Sequence, residues 1–279
     1  MNALNYDPTW RETLQTQFMH NAFVAGILIS IAAASIGYFT IVRNSTFGAH
    51  ALAHIGLPGA TGAVLLGFPV YAGMGIFAFA AALVIGFLGK KTSQREIATG
   101  TVLAFATGLG LLFSNMSKEA SKQMQSILFG SIISVTNQQI KGFLIFDIIL
   151  VAVLVLIYRP LLFSSLDEQI ARSKGVPVNF IGIIFMVMLS GVITVSLPAV
   201  GTLLIFSLTV TPSAAAMCIT KSPLSAIIVS FIFCMASIWP GLVLSTMYRL
   251  PASFATVALS TLYWALAKGY AAIRKRGNR

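Results

Sequence analysis

Charge is what this sequence has least of. Only 9% of its 279 residues are charged, just seven of them acidic, while 57% are hydrophobic and mean hydropathy is +0.89. A soluble domain carries about 25% charged residues, so a water-soluble surface is excluded. Segments of about ten alternating residues are also missing, which excludes a membrane β-barrel. The two cysteines, Cys218 and Cys234, lie far apart in apolar stretches. That spacing rules out a paired-cysteine metal motif and suggests packed thiols rather than a disulfide. No G-x-x-x-x-G-K-[ST] phosphate loop occurs: GKKTS at 89–93 lacks the upstream glycine spacing. No catalytic Ser/His/Asp set is visible, so no catalytic or cofactor-binding residue is assigned. The first 18 residues lack the three-part pattern of a removable signal peptide.

What remains is a series of long apolar runs. A bilayer core about 30 Å thick needs roughly 20 apolar residues per helix. Nine spans are expected, near 20–42, 47–68, 70–89, 97–115, 142–158, 180–197, 199–219, 224–246 and 252–268. The fold class is therefore an all-α integral membrane protein, embedded in lipid. Its parts are an extracytoplasmic segment 1–19, a single membrane domain 20–268 and a basic cytoplasmic tail 269–279. The apolar stretch QSILFGSIISVTNQ (125–138) is too short to span and is read as re-entrant or interfacial.

The net charge of +11 is read as the positive-inside signature rather than a nucleic-acid surface. With the C-terminus cytoplasmic and the N-terminus outside, thirteen of the eighteen Lys and Arg residues fall inside, among them Arg43, Lys90, Lys91, Arg95 and Arg172. Arg11, Lys118, Lys122, Lys141 and Arg249 fall outside.

Two of the three histidines stand four apart in FGAHALAHIGLPG (47–59). On a helix, His50 and His54 share a face, with Cβ atoms about 6 Å apart, and two imidazoles there can ligate one divalent transition metal. The alternative is packing, with each imidazole hydrogen-bonded to a neighbouring helix. Pro58-Gly59 is expected to interrupt this span, as in helices that line a cavity. His20, at the outer start of the first span, is read as interfacial. Asp147 is the one carboxylate well inside a span; it either pairs structurally or faces the pathway. The loop 160–179 is expected to hold a short helix between Asp167 and Lys174, ending before Gly175. That helix is either a solvated connector or a docking site for a cytoplasmic partner.

Several ordered motifs then resemble one family, the ABC-3 type membrane permease subunits of zinc, manganese and iron ABC importers. AHALAHIGLPG (49–59) is similar to the family's G-D-A-L-S-H-x-x-L-P-G, with His50 where the family has Asp. Glu96 and Gly100 resemble D-x-x-x-G, and LFGSIISV (128–135) resembles L-F-G-S-I-L-x-V. LDEQIARSKGV (166–176) resembles D-x-x-x-A-x-x-x-G-V through Asp167, Ala171 and Gly175. VGTLLIFSLTVTPSAAA (200–216) resembles a further family segment. Arg249 and Ser253 depart from the family pattern around YRLPAS.

The resemblance implies a vitamin B12-type (type II) importer fold shortened by one helix, in a bacterial cytoplasmic (inner) membrane. It implies a permease homodimer, cytoplasmic ATP-binding subunits docked on 166–176 through Asp167, Ala171 and Gly175, and an extracytoplasmic metal-binding protein. ATP hydrolysis is expected in the partner, not in this chain. The cargo is a transported divalent metal, none bound permanently, met in passing by His50 and His54. Zinc is expected first, because a His/His pair is softer than Asp/His, then manganese or iron. The rival from another class is a gradient-driven secondary metal transporter without an ATPase.

Overall fold

The computed structural model describes residues 6–88 and 92–277, and it is helical throughout with no strand among them. Lys90, Lys91 and Arg279 lie outside the described residues. Eleven helices follow in order. They are α1 (Trp10–Leu14), α2 (Gln17–Val42), α3 (Thr46–Leu66), α4 (Val70–Leu88), α5 (Thr92–Met116) and α6 (Lys118–Phe129). Next come α7 (Asn137–Leu166), α8 (Glu168–Ser173), α9 (Val178–Ile219), α10 (Pro223–Tyr248) and α11 (Ala252–Gly277).

Among the described residues, seven helices are long and apolar enough to cross a membrane: Gln17–Val42, Thr46–Leu66, Val70–Leu88, Gln94–Met116, Asn137–Leu166, Val178–Ile219 and Pro223–Tyr248. The nine expected spans differ from these seven for two reasons. The 42-residue α9 is broken by non-helical backbone at Gly201 and so contains two expected spans in one run of helix. The 26-residue α11 has the length, but Ser, Thr, Tyr and Lys dilute its apolar face.

The chain forms two compact units. One takes residues 6–38, 131–148 and 203–277; the other takes Phe39–Gly130 and Ile149–Thr202. In the first unit α10 packs on α11, and α1 lies against α10. Small polar groups join its helices: Ser207 Oγ meets Ser260 Oγ at 3.1 Å, and Ser213 Oγ meets Ser230 Oγ at 2.7 Å, both pairs buried. A Cβ on Gly37 would overlap Ser213 Oγ and the Thr209 carbonyl oxygen, so only glycine lets these backbones approach. Cys234 is buried and donates from Sγ to the Leu208 carbonyl at 3.4 Å, the packed thiol expected of it. Cys218 departs from that expectation and is exposed.

The N-terminal segment of this unit is strapped down. The Asp7 backbone N–H donates to the Met247 carbonyl at 2.8 Å, and Arg249 donates from Nη2 to Asp7 Oδ2 at 3.2 Å. Arg249, the departure from the family pattern, thus has a partner of its own near the other end of the chain. The Thr9 hydroxyl and backbone N–H, followed by Arg249, hold the Asp7 carboxyl below its ordinary value.

The second unit is built around α3, which packs against α4, α5 and α6. The expected interruption at Pro58-Gly59 does not occur. α3 runs unbroken from Thr46 to Leu66 with Pro58 inside it, and ends at Gly67 with φ +70. An interior proline costs a helix about 3 kcal/mol in isolation. Here Pro58 is buried among neighbouring helices, where tertiary packing offsets that cost. Gly59 serves packing: a Cβ there would overlap the Gly73 carbonyl of α4, and one on Gly73 would overlap the Gly59 carbonyl.

The segment 125–138 does not span. α6 ends at Gly130 (φ +63, ψ 171), and a short 3-10 turn, Ile132–Ser134, leads toward α7. Gly130 meets Gly201 (φ +79, ψ 168) backbone to backbone; a Cβ on Gly130 would overlap the Gly201 nitrogen. Two motifs quoted from the sequence, LFGSIISV and VGTLLIFS, are therefore one contact.

Candidate functional site

In α3 every residue from Gly48 to Ala63 is buried except two, His50 and His54. The surrounding alanines and glycines let neighbouring helices close around the rest of the helix. The two imidazoles form the partly open stripe that remains, with ring centroids 4.8 Å apart and planes inclined by 64°. The helical register predicted from spacing has thus brought the two rings together. Among the described residues no group of three or more His, Cys, Asp or Glu could hold a metal ion. One chain therefore offers two imidazoles and no closed site.

Asp147 belongs to the other unit. It is 5% exposed, and its Oδ2 has no hydrogen-bond partner. The expectation of a structural partner is not met at that oxygen.

The loop helix is present as α8, Glu168–Ser173. Asp167 is its N-cap and accepts from the Ile170 N–H at 2.9 Å, which satisfies one of the free donors of the first turn. Gly175 ends it at φ +80, where side-chain-bearing residues are strained. The Gly175 N–H donates to the Arg172 carbonyl and the Val176 N–H to the Ala171 carbonyl, both at 3.0 Å. Ala171 is fully buried. All three motif residues build the helix: Asp167 and Gly175 stand exposed at its two ends, and Ala171 faces inward. The outward surface is Leu166, 66% exposed, and Ile170, 50% exposed, beside the Glu168–Arg172 ion pair (2.7 Å).

A helical membrane chain with this glycine contact, this capped loop helix and this histidine stripe carries the quoted motifs in order. The sequence pattern of the ABC 3 transport family matches residues 15–269. The chain belongs to the ABC 3 transport family.

Relatives in the family agree in length as well as sequence. The manganese transport system membrane protein MntC of Listeria monocytogenes is 29% identical over 255 residues, covering 91% of each chain. The manganese import system permease protein ScaB of Streptococcus parasanguinis is 30% identical over 217 residues, 77% of each chain. Among solved structures, PsaBC from Streptococcus pneumoniae in complex with Fab matches with TM-score 0.83 and 26% identity, covering 95% of this chain and 98% of that one. An ABC transporter solved in an inward-facing conformation matches at TM-score 0.73 and 14% identity, which speaks for the fold alone. The chain is thus a multi-pass membrane permease of the ABC 3 family, with the importer-permease fold expected from its sequence.

The sequence missed one group in this unit. Arg43 reads there only as a positive-inside marker, yet its guanidinium is drawn into the interior. Nothing local in RNSTF signals this.

Proposed function

We propose that the chain is the membrane-spanning permease of an ATP-driven importer of a divalent first-row metal, with manganese as the first cargo to test. Membership in the ABC 3 family is the observation that carries this reading, and the names of the Listeria and Streptococcus relatives point to manganese. The preference for zinc drawn from the two imidazoles finds no support in those names. It also has a weaker physical basis than the sequence suggests. Manganese binds N and O ligands most weakly of the first-row divalent series, and a transport station must release its ion as well as bind it. A half-open pair of imidazoles suits such a passing contact.

A second copy of the chain, apposed along the α3 stripe, would bring the imidazoles to four, enough to surround an ion on the pathway. Cytoplasmic ATP-binding subunits would dock on α8, with Leu166 and Ile170 as the apolar contact. An extracytoplasmic binding protein would deliver the metal. In this reading the N-terminus is outside and the C-terminus cytoplasmic, in the inner membrane of a bacterium. The carrier alternative differs in one observable: it needs no ATPase. The permease co-purified with its ATPase is reconstituted in liposomes with metal-loaded binding protein outside, and uptake of Mn2+, Zn2+ and Fe2+ is compared with and without internal ATP. Uptake that requires ATP and is strongest for Mn2+ supports the proposal; uptake by the permease alone contradicts it.

A further inference from the structure

Arg43 occupies the turn between α2 and α3. Asn44 takes positive φ (+52) there, and the Ser45 N–H closes the turn on the Thr40 carbonyl at 2.8 Å. From this turn the side chain crosses to the end of α7. Nη1 donates to Ser164 Oγ at 3.0 Å and to Ser165 Oγ at 3.2 Å. Both serines in turn donate to the Leu161 carbonyl, at 3.0 and 2.5 Å. The guanidinium carbon lies 5.4 Å from the Phe185 ring centroid on α9, and the side chain passes Gly182, where an added Cβ would sit 3.3 Å from Nη2. Arg95 of α5 donates from Nη2 to the Arg43 carbonyl at 2.9 Å, fastening the same turn from a third helix.

This is an expensive arrangement. Nε is buried without a hydrogen-bond partner, and an unsatisfied buried donor costs the fold its desolvation. Among the described residues no carboxylate lies within ion-pair distance of Arg43; Glu168, the first residue of α8, acts on it from longer range. Burial, and then Arg95, hold the guanidinium down to about 10, so it stays charged at neutral pH. Ser164 and Ser165 lie just before α8 in the chain, while the Arg43 turn leads directly into α3, which carries His50 and His54. One side chain therefore ties the base of the candidate docking helix to the start of the histidine helix.

We propose that Arg43 is the positioning residue that carries movement of the α7–α8 joint into the start of α3, linking ATPase docking to the histidine stripe. The inference rests on the importer reading and deepens it. A rigid tie between two elements transmits displacement only while both its ends hold, so cutting either end must give the same defect. Arg43→Lys keeps the charge but loses the planar group that reaches two serines at once. Ser164→Ala with Ser165→Ala leaves Arg43 in place and removes its acceptors.

The test reconstitutes permease–ATPase complexes in liposomes, supplies the metal-loaded binding protein outside, and measures Mn2+ or Zn2+ taken up per ATP hydrolysed. Both variants are expected to retain the ATPase through purification and to hydrolyse ATP, while metal transported per ATP falls about tenfold. An unchanged ratio in both variants overturns the inference and leaves the importer reading standing. Loss of the ATPase from both complexes also overturns it, because Arg43 would then only shape the docking surface. If Arg43→Lys does not fold, the serine pair decides alone. Absence of ATP-dependent uptake in the wild-type complex overturns the importer reading, and this inference with it.

Discussion

Gly201→Ala is a one-atom test of how the second unit is held together. Gly201 breaks α9 at φ +79 and ψ 168, a region open to glycine and costing other residues about 1–3 kcal/mol. The new Cβ would also sit 2.5 Å from the Phe129 carbonyl carbon and oxygen and 2.7 Å from the Leu128 oxygen, all backbone atoms that cannot rotate away. Overpacking of this kind costs a further 1–3 kcal/mol or so. The sum, about 2–6 kcal/mol, is a large part of a domain's usual stability of about 5–15 kcal/mol. At roughly 2–4 °C per kcal/mol, the midpoint should fall by on the order of 10 °C. Thermal unfolding of the detergent-solubilised permease, followed by loss of the monodisperse peak, measures it. Gly142→Ala is the control: it lies within α7 with nothing near its added Cβ, and should be neutral or slightly stabilising. Equal midpoints for Gly201→Ala and wild type would refute the close contact between Gly130 and Gly201.

Replacing His50 and His54 together by Ala should leave stability within about 0.5 kcal/mol of wild type, since both side chains are partly open. The same change should cut ATP-dependent metal uptake at least roughly tenfold, as even outer-shell changes at metal sites do; unchanged uptake would assign them to packing. Ile170→Asp should release the ATPase from the purified complex without altering membrane insertion, read by co-purification, whereas Ala171→Asp should destabilise the permease itself because Ala171 is buried. Bonds from Thr9, then Arg249, hold the Asp7 carboxyl below its ordinary value, so their stabilisation is present above that ordinary value and is lost as pH falls through the lowered one. Hydrogen-exchange protection in residues 6–16, taken relative to the intrinsic rate at each pH, should therefore fall in wild type as pH drops through the lowered value, and Asp7→Asn should already be poorly protected at pH 6; identical protection in the two would dismiss the strap.

Local chemistry was legible in the sequence, and long-range packing was not. The α8 helix follows from its own residues, because Asp167 caps it and Gly175 terminates it without help from elsewhere. The His50–His54 register follows from helical spacing alone. Pro58 was misleading: its local cost is real, but the buried setting of α3 outweighs it. Ala171 belongs to the motif for the opposite face from the one a docking surface needs. Arg249 and Asp7 are 242 positions apart, and no pattern in either segment announces the pair. Arg43 was hidden by a statistical rule that is right about charge and silent about burial.

The central claim is that this ABC 3 permease moves a divalent metal only when an attached ATPase turns over. Reconstituted with its ATPase in liposomes and given metal-loaded binding protein outside, it should accumulate Mn2+ with ATP inside and not without it. Accumulation driven by an ion gradient in vesicles holding the permease alone would contradict the account.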